Sequence, residues 1–107
     1  MNSWAIPDWA EPSDPSFEVP VLESLASSVT ATHPEITCTP FFEIEGCAFV
    51  IFNRGSIQIG RACVTANEAG LPFFSVYMGS EEDEFHGVNQ RAIVQLVAAY
   101  DTQFPPT

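Results

Sequence analysis

Between Ile36 and Met78 the chain offers apolar runs of strand length and none long enough for a helix, and this limits the available folds more than any other feature. Ile36, Cys38, Phe42 and Ile44 alternate with Thr37, Thr39, Glu43 and Glu45 around Pro40. A period of two sends every second side chain to the same face of a sheet. Pro40 has no N–H to give a central ladder, so this run predicts an edge strand or a bulge. Cys47 to Phe52 is continuously apolar and rich in strand formers, which predicts an inner strand. Ser56 to Ala66 predicts a third strand, with Gly60 able to bulge it, and Leu71 to Met78 a fourth. Asn53-Arg54-Gly55-Ser56 and Asn67-Glu68-Ala69-Gly70 read as turns, and turns this short join antiparallel neighbours.

Helical spacing appears only on either side of this block. Pro7, Pro12, Pro15 and Pro20 are interleaved with Asp8, Glu11 and Asp14, a density that argues against helix or central strand. Residues 1–17 are therefore expected to form a Pro-rich acidic arm, with Trp4, Ile6, Trp9 and Phe17 available to pin it or to touch a partner. Val21, Leu22, Leu25, Ala26 and Val29 predict a short helix over about 20–31, closed by Thr32-His33-Pro34. Ser80 with Asp83 resembles a capping pair, and Phe85, Val88, Ala92, Ile93, Leu96, Val97 and Tyr100 extend a helix over about 81–101. Gly87 inside it costs about 1 kcal/mol against alanine and could divide it. The expected fold is α+β: a four-stranded antiparallel sheet with an N-terminal and a C-terminal helix packed on one face, order α-β-β-β-β-α. The arm is followed by a single domain over 18–107. With 107 residues, 46% of them hydrophobic, the chain can bury a core without metal or disulfide.

Charge narrows the partners. Fourteen acids stand against three arginines and no lysine, a net charge of −11. Residues 1–53 hold eight acids and no Lys or Arg, so the charge is concentrated in the first half. This balance excludes binding through a basic patch and argues against direct contact with nucleic acid or an anionic membrane. No apolar run approaches the ~18 residues of a membrane span. The Met1-Asn2-Ser3-Trp4 start lacks a basic n-region and an apolar h-region, so a cytoplasmic location is expected. Cys38, Cys47 and Cys63, an odd count beside apolar neighbours, read as reduced core thiols.

Catalytic signatures are missing from the sequence. Gly55-Ser56-Ile57-Gln58-Ile59-Gly60 has two glycines but no following Gly-Lys-Ser/Thr, so no phosphate cradle is expected. Three cysteines with eight and fifteen intervening residues lack zinc spacing. Cys63 with His86, or Cys38 with His33, could be drawn as a nucleophile and base, without a local signature for either. The run Glu81-Glu82-Asp83-Glu84 suits a first helical turn, where unpaired N–H groups favour acids, better than a metal. Neither a cofactor, a metal nor a catalytic residue is expected, and the chain reads as no enzyme.

What remains is the acid itself. Glu43 and Glu45, two apart on a strand, would share a face about 6.8 Å apart, beside the phosphate repeat of about 3.4 Å per nucleotide. A rigid carboxylate array can thus occupy a groove built for nucleic acid. The profile resembles the general class of phage- or plasmid-encoded inhibitors: anti-CRISPR proteins, nucleic-acid mimics and nuclease immunity proteins. That resemblance implies a small acidic inhibitor of a basic protein from a nucleic-acid-processing complex. The expected contact residues are Glu43, Glu45, Glu81, Glu82, Glu84, Trp4 and Trp9. The alternatives are a non-inhibitory acidic chaperone or homodimeric assembly subunit working through a sheet edge, and an enzyme with an unrecognised site.

Overall fold

The first helix, α1 (Pro15–Thr32), begins five residues before the expected start and takes in the end of the expected arm. Tertiary packing overrides local proline preference here. Val19, Leu22, Leu25, Ala26 and Val29 recur on one stripe and are all buried. Pro15 sits in the first turn, where a missing N–H costs nothing, and Pro20 lies on the exposed side. Burial of Glu18 holds the extra turn down, because its carboxylate accepts the Ala48 backbone N–H at 3.3 Å. The computed structural model describes residues 4, 6, 8, 9, 15–43, 46–87 and 89–102, so most of the expected arm lies outside the described residues.

Five strands follow: β1 (Thr37–Phe42), β2 (Ala48–Arg54), β3 (Ile57–Ala66), β4 (Pro72–Met78) and β5 (Asp83–Gly87). They form one antiparallel meander in sequence order. Pro40 lies in an edge strand, β1. The two-residue loop between β2 and β3 has Gly55 at φ 62 in its first position, as a type II′ hairpin turn requires. Phe52 faces Gly60 while Asn53 faces Gln58, so Ile59 is an extra residue and the bulge buries Ile59 and Gly60 together. A Cβ on Gly60 would lie 2.3 Å from Met78 Sδ and 2.8 Å from the Tyr77 backbone oxygen, so a side chain there would push β3 from β4.

The expectation of four strands and a helix over 81–101 is corrected by β5. Residues 83–87 pair with β4 from Met78↔Asp83 to Phe74↔Gly87. The final helix, α2 (Gln90–Asp101), starts instead at Asn89, whose side chain accepts the Arg91 and Ala92 N–H groups. Gly87 ends the strand where it was expected to weaken a helix.

Both helices pack on the same face of the sheet, α1 against β1–β3 and α2 against β3 and β4. The core between them is built from Leu22, Leu25, Val50, Phe52, Val64, Phe74, Val76 and Val97, with Ile93 and Met78 closing it. No helix in the described residues is long and apolar enough to cross a membrane.

One ion pair fastens α2 to the sheet. Arg54 Nε lies 3.3 Å from Asp101 Oδ1, with side chains 20% and 12% exposed. Asp101 sits at the negative end of α2, where a carboxylate is disfavoured without a cation beside it. Replacing Arg54 with methionine leaves that carboxylate enclosed and should lower stability by about 2–4 kcal/mol in urea denaturation. Adding Asp101→Asn should recover part of the loss, so the two effects are less than additive.

Candidate functional site

The face of the sheet opposite the helices carries no covering element among the described residues. Strand alternation puts Phe41, Phe49, Ile51, Phe73 and Tyr77 there, none of them buried, with Phe41 48% exposed. One row crosses all five strands: Thr39, Ile51, Arg61, Tyr77 and Glu84. Phe41 and Phe49 stand side by side with ring centroids 6.4 Å apart, so part of this face is apolar at the surface.

Arg61 is at its centre. Its guanidinium carbon lies 5.0 Å from the Tyr77 ring centroid and 5.6 Å from that of Phe49. Nη2 reaches Glu82 Oε1 at 3.0 Å, and Nε is enclosed without a hydrogen-bond partner. Glu82 has φ 53, a left-handed conformation that costs energy for a residue with a Cβ. Such contacts are worth about 0.5–1 kcal/mol each at exposed positions, so they orient Arg61 more than they stabilise the fold. Beside it, Phe41, Glu43, Phe49, Ile51, Gln58 and Arg61 line a groove of about 250 Å³.

The expected contact residues divide in space. Glu43 follows the end of β1, its N–H bonded to the Cys47 carbonyl at 3.3 Å, and lines the groove at one end of the open face. Glu45 lies outside the described residues, so the expected pair on one strand reduces to Glu43. Glu81 and Glu82 are exposed in the β4–β5 turn and Glu84 is on β5, not at a helix start. Trp4 is elsewhere: it is half-buried against the core, and its backbone N–H donates to Glu23 Oε2 at 2.8 Å on α1. Trp9 is 56% exposed. Acids therefore flank the open face at both ends, and Trp4 does not belong to it.

Three polar side chains on this face form a chain across two strands. Ser75 Oγ lies 3.1 Å from His86 Nδ1, and His86 Nε2 lies 3.2 Å from Glu84 Oε1. Phe73 stacks on the imidazole at 5.9 Å. Hydroxyl, imidazole and carboxylate occur in this order in nucleophilic hydrolases. Here they stand on adjacent paired strands, Ser75 directly opposite His86. The chain is a cross-strand polar ladder that orients His86.

The sequence reading missed Arg61, Phe49, Tyr77 and Ser75 as site residues. Period-two spacing was a signal for them, but which face stays uncovered depends on how many helices the chain provides. Among the described residues no group of three His, Cys, Asp or Glu side chains is placed to hold a metal.

Cys38, Cys47 and Cys63 are free thiols, and Cys47 and Cys63 are hydrogen-bonded to each other. Burial pushes all three thiols up, with Cys63 reaching about 11 through burial and the neighbouring Cys47, Glu18 and Glu43. Tyr77 is raised as well, first by burial. The folded chain thus keeps these protons to higher pH than the unfolded chain does. Their contribution is fully present at neutral pH and is lost as pH rises from about 9 through about 11. The urea midpoint should therefore fall between about pH 7.5 and pH 10.5, and Cys63→Ala should remove part of that fall. An unchanged midpoint would contradict it.

Compared with known proteins, the chain matches no family model, no curated protein and no solved structure.

Proposed function

We propose that this protein is a binding module whose uncovered sheet face seats a basic protein partner with an apolar contact surface. The observation that carries this reading is the arrangement of that face: Phe41, Phe49, Ile51 and Tyr77 around Arg61, with Glu43 and Phe73 toward one end and Glu81, Glu82 and Glu84 at the other. An aromatic centre with a charged rim is the usual anatomy of a protein interface. Net charge of −11 supports a cationic partner over a neutral or acidic one, because like charge repels encounter and opposite charge steers it. Proteins that handle nucleic acid present such basic grooves, and a module seated there would compete with nucleic acid for the groove. Inhibition of such a partner is the functional reading that follows.

The test is capture from the lysate of the source cell on immobilised protein, side by side with the Phe41→Ser/Phe49→Ser variant, with mass-spectrometric identification. A basic protein retained by the native chain, released by raising salt, and bound at least about tenfold more weakly by the variant would support the reading. A retained set that the variant leaves unchanged, or one released by no salt, would overturn it.

A further inference from the structure

The two edges of the sheet are built differently. The Glu43 N–H bonds to the Cys47 carbonyl, which fixes the hydrogen-bonding phase of β1 against β2. In that phase Thr37, Thr39 and Phe41 pair with β2, while Cys38, Pro40 and Phe42 aim their backbone groups at solvent. Pro40 has no N–H there, so the β1 edge cannot accept a continuous new strand.

At the other edge the Gly79 N–H bonds to the Ile59 carbonyl and the Asn67 N–H to the Leu71 carbonyl. Both bonds place the backbone groups of Phe74, Val76 and Met78 toward β5. Asp83, Phe85 and Gly87 are then consumed by β4, and Glu84 and His86 present free N–H and C=O groups outward. All of β5 except Gly87 is exposed, and no proline interrupts it.

We infer that a second copy of this chain docks antiparallel on β5 about a two-fold axis at Phe85, joining two five-stranded sheets into one of ten strands. The backbone phase allows three symmetric registers of nearby residues, and side chains choose among them. Glu84 opposite its own copy sets carboxylate against carboxylate. His86 opposite its own copy separates the two Phe85 rings. Glu84 opposite His86 pairs acid with imidazole twice, uses the four free backbone groups on each side, and brings the Phe85 rings face to face as the close, non-hydrogen-bonded pair. Phe85 is 37% exposed and borders an apolar slot of about 320 Å³ between β5 and α2, walled by Ala92, Ile93 and Leu96. The partner's ring would enter that slot, and the open aromatic face would continue across the junction.

Each copy carries −11, so association works against long-range repulsion, which salt screens over about 8 Å at physiological strength. Dimerisation should therefore strengthen with salt, the opposite of capture of a basic partner, and should be unaffected by Phe41→Ser/Phe49→Ser. Sedimentation equilibrium of the full chain at low and high salt tests this, with Glu84→His, His86→Glu and the double exchange. Each single change sets like groups opposite each other and should weaken the dimer about tenfold or more, and the exchange should restore it. A chain that stays monomeric at about 1 mM in high salt, or a dimer indifferent to the single changes, would overturn the inference.

Discussion

A five-stranded meander has two faces, and among the described residues both helices pack on the same one. Nearly everything else follows from that shortage of cover. The inner face takes Val50, Phe52, Ile59, Val64, Phe74 and Val76 out of water with the apolar stripe of α1 and the inner side of α2. The outer face keeps its rings at the surface, and Arg61 lies between two of them with a carboxylate to hold it. An antiparallel sheet tolerates one wet face, but that face is usually polar. Here Phe41, Phe49, Ile51 and Tyr77 stand on it among polar neighbours, and the proposed partner would cover them.

The same economy governs the rest of the chain. A bulge at Ile59 and Gly60 turns an extra apolar residue inward, and Met78 packs where a side chain on residue 60 would stand. Tyr100 donates to Asp83 at 2.6 Å and packs edge-on against Phe85, tying the end of α2 to the last hairpin. With Arg54 and Asp101 on the neighbouring side, α2 is held at both margins of its C-terminal turn. One edge of the sheet is closed by proline and the other left open, an asymmetry that directs edge pairing to a single place.

Much of the sheet was legible in the sequence, because strand alternation and turn chemistry are local. The apolar run from Cys47 to Phe52, Gly55 in its turn and Gly60 as a bulge all carried readable signals. Residues 83–87 were not legible in the same way. An acidic run after Ser80 imitates a first helical turn, and Phe85, Val88 and Ala92 continue a helical period. Pairing with β4 outweighed that local preference, and Asn89 supplied the true cap. The early start of α1 was hidden for a related reason: Val19 continues the apolar stripe, but Pro15 and Pro20 argue locally against a helix, and the bond from the Ala48 N–H to the buried Glu18 is not visible in the sequence. Among the site residues, the acids could be named from composition, while Arg61, Phe49 and Tyr77 became visible only once the helices had chosen a side.

One face of the sheet leaves its rings open to solvent while the other is sealed by the helices. Paramagnetic line broadening by a soluble, uncharged gadolinium chelate measures this directly on ring and methyl signals. At protein concentrations too low for self-association, Phe41, Phe49, Ile51 and Tyr77 should broaden strongly while Phe52, Phe74 and Leu25 stay sharp. Equal protection of the two sets would mean that the outer face is covered, and the account would fail.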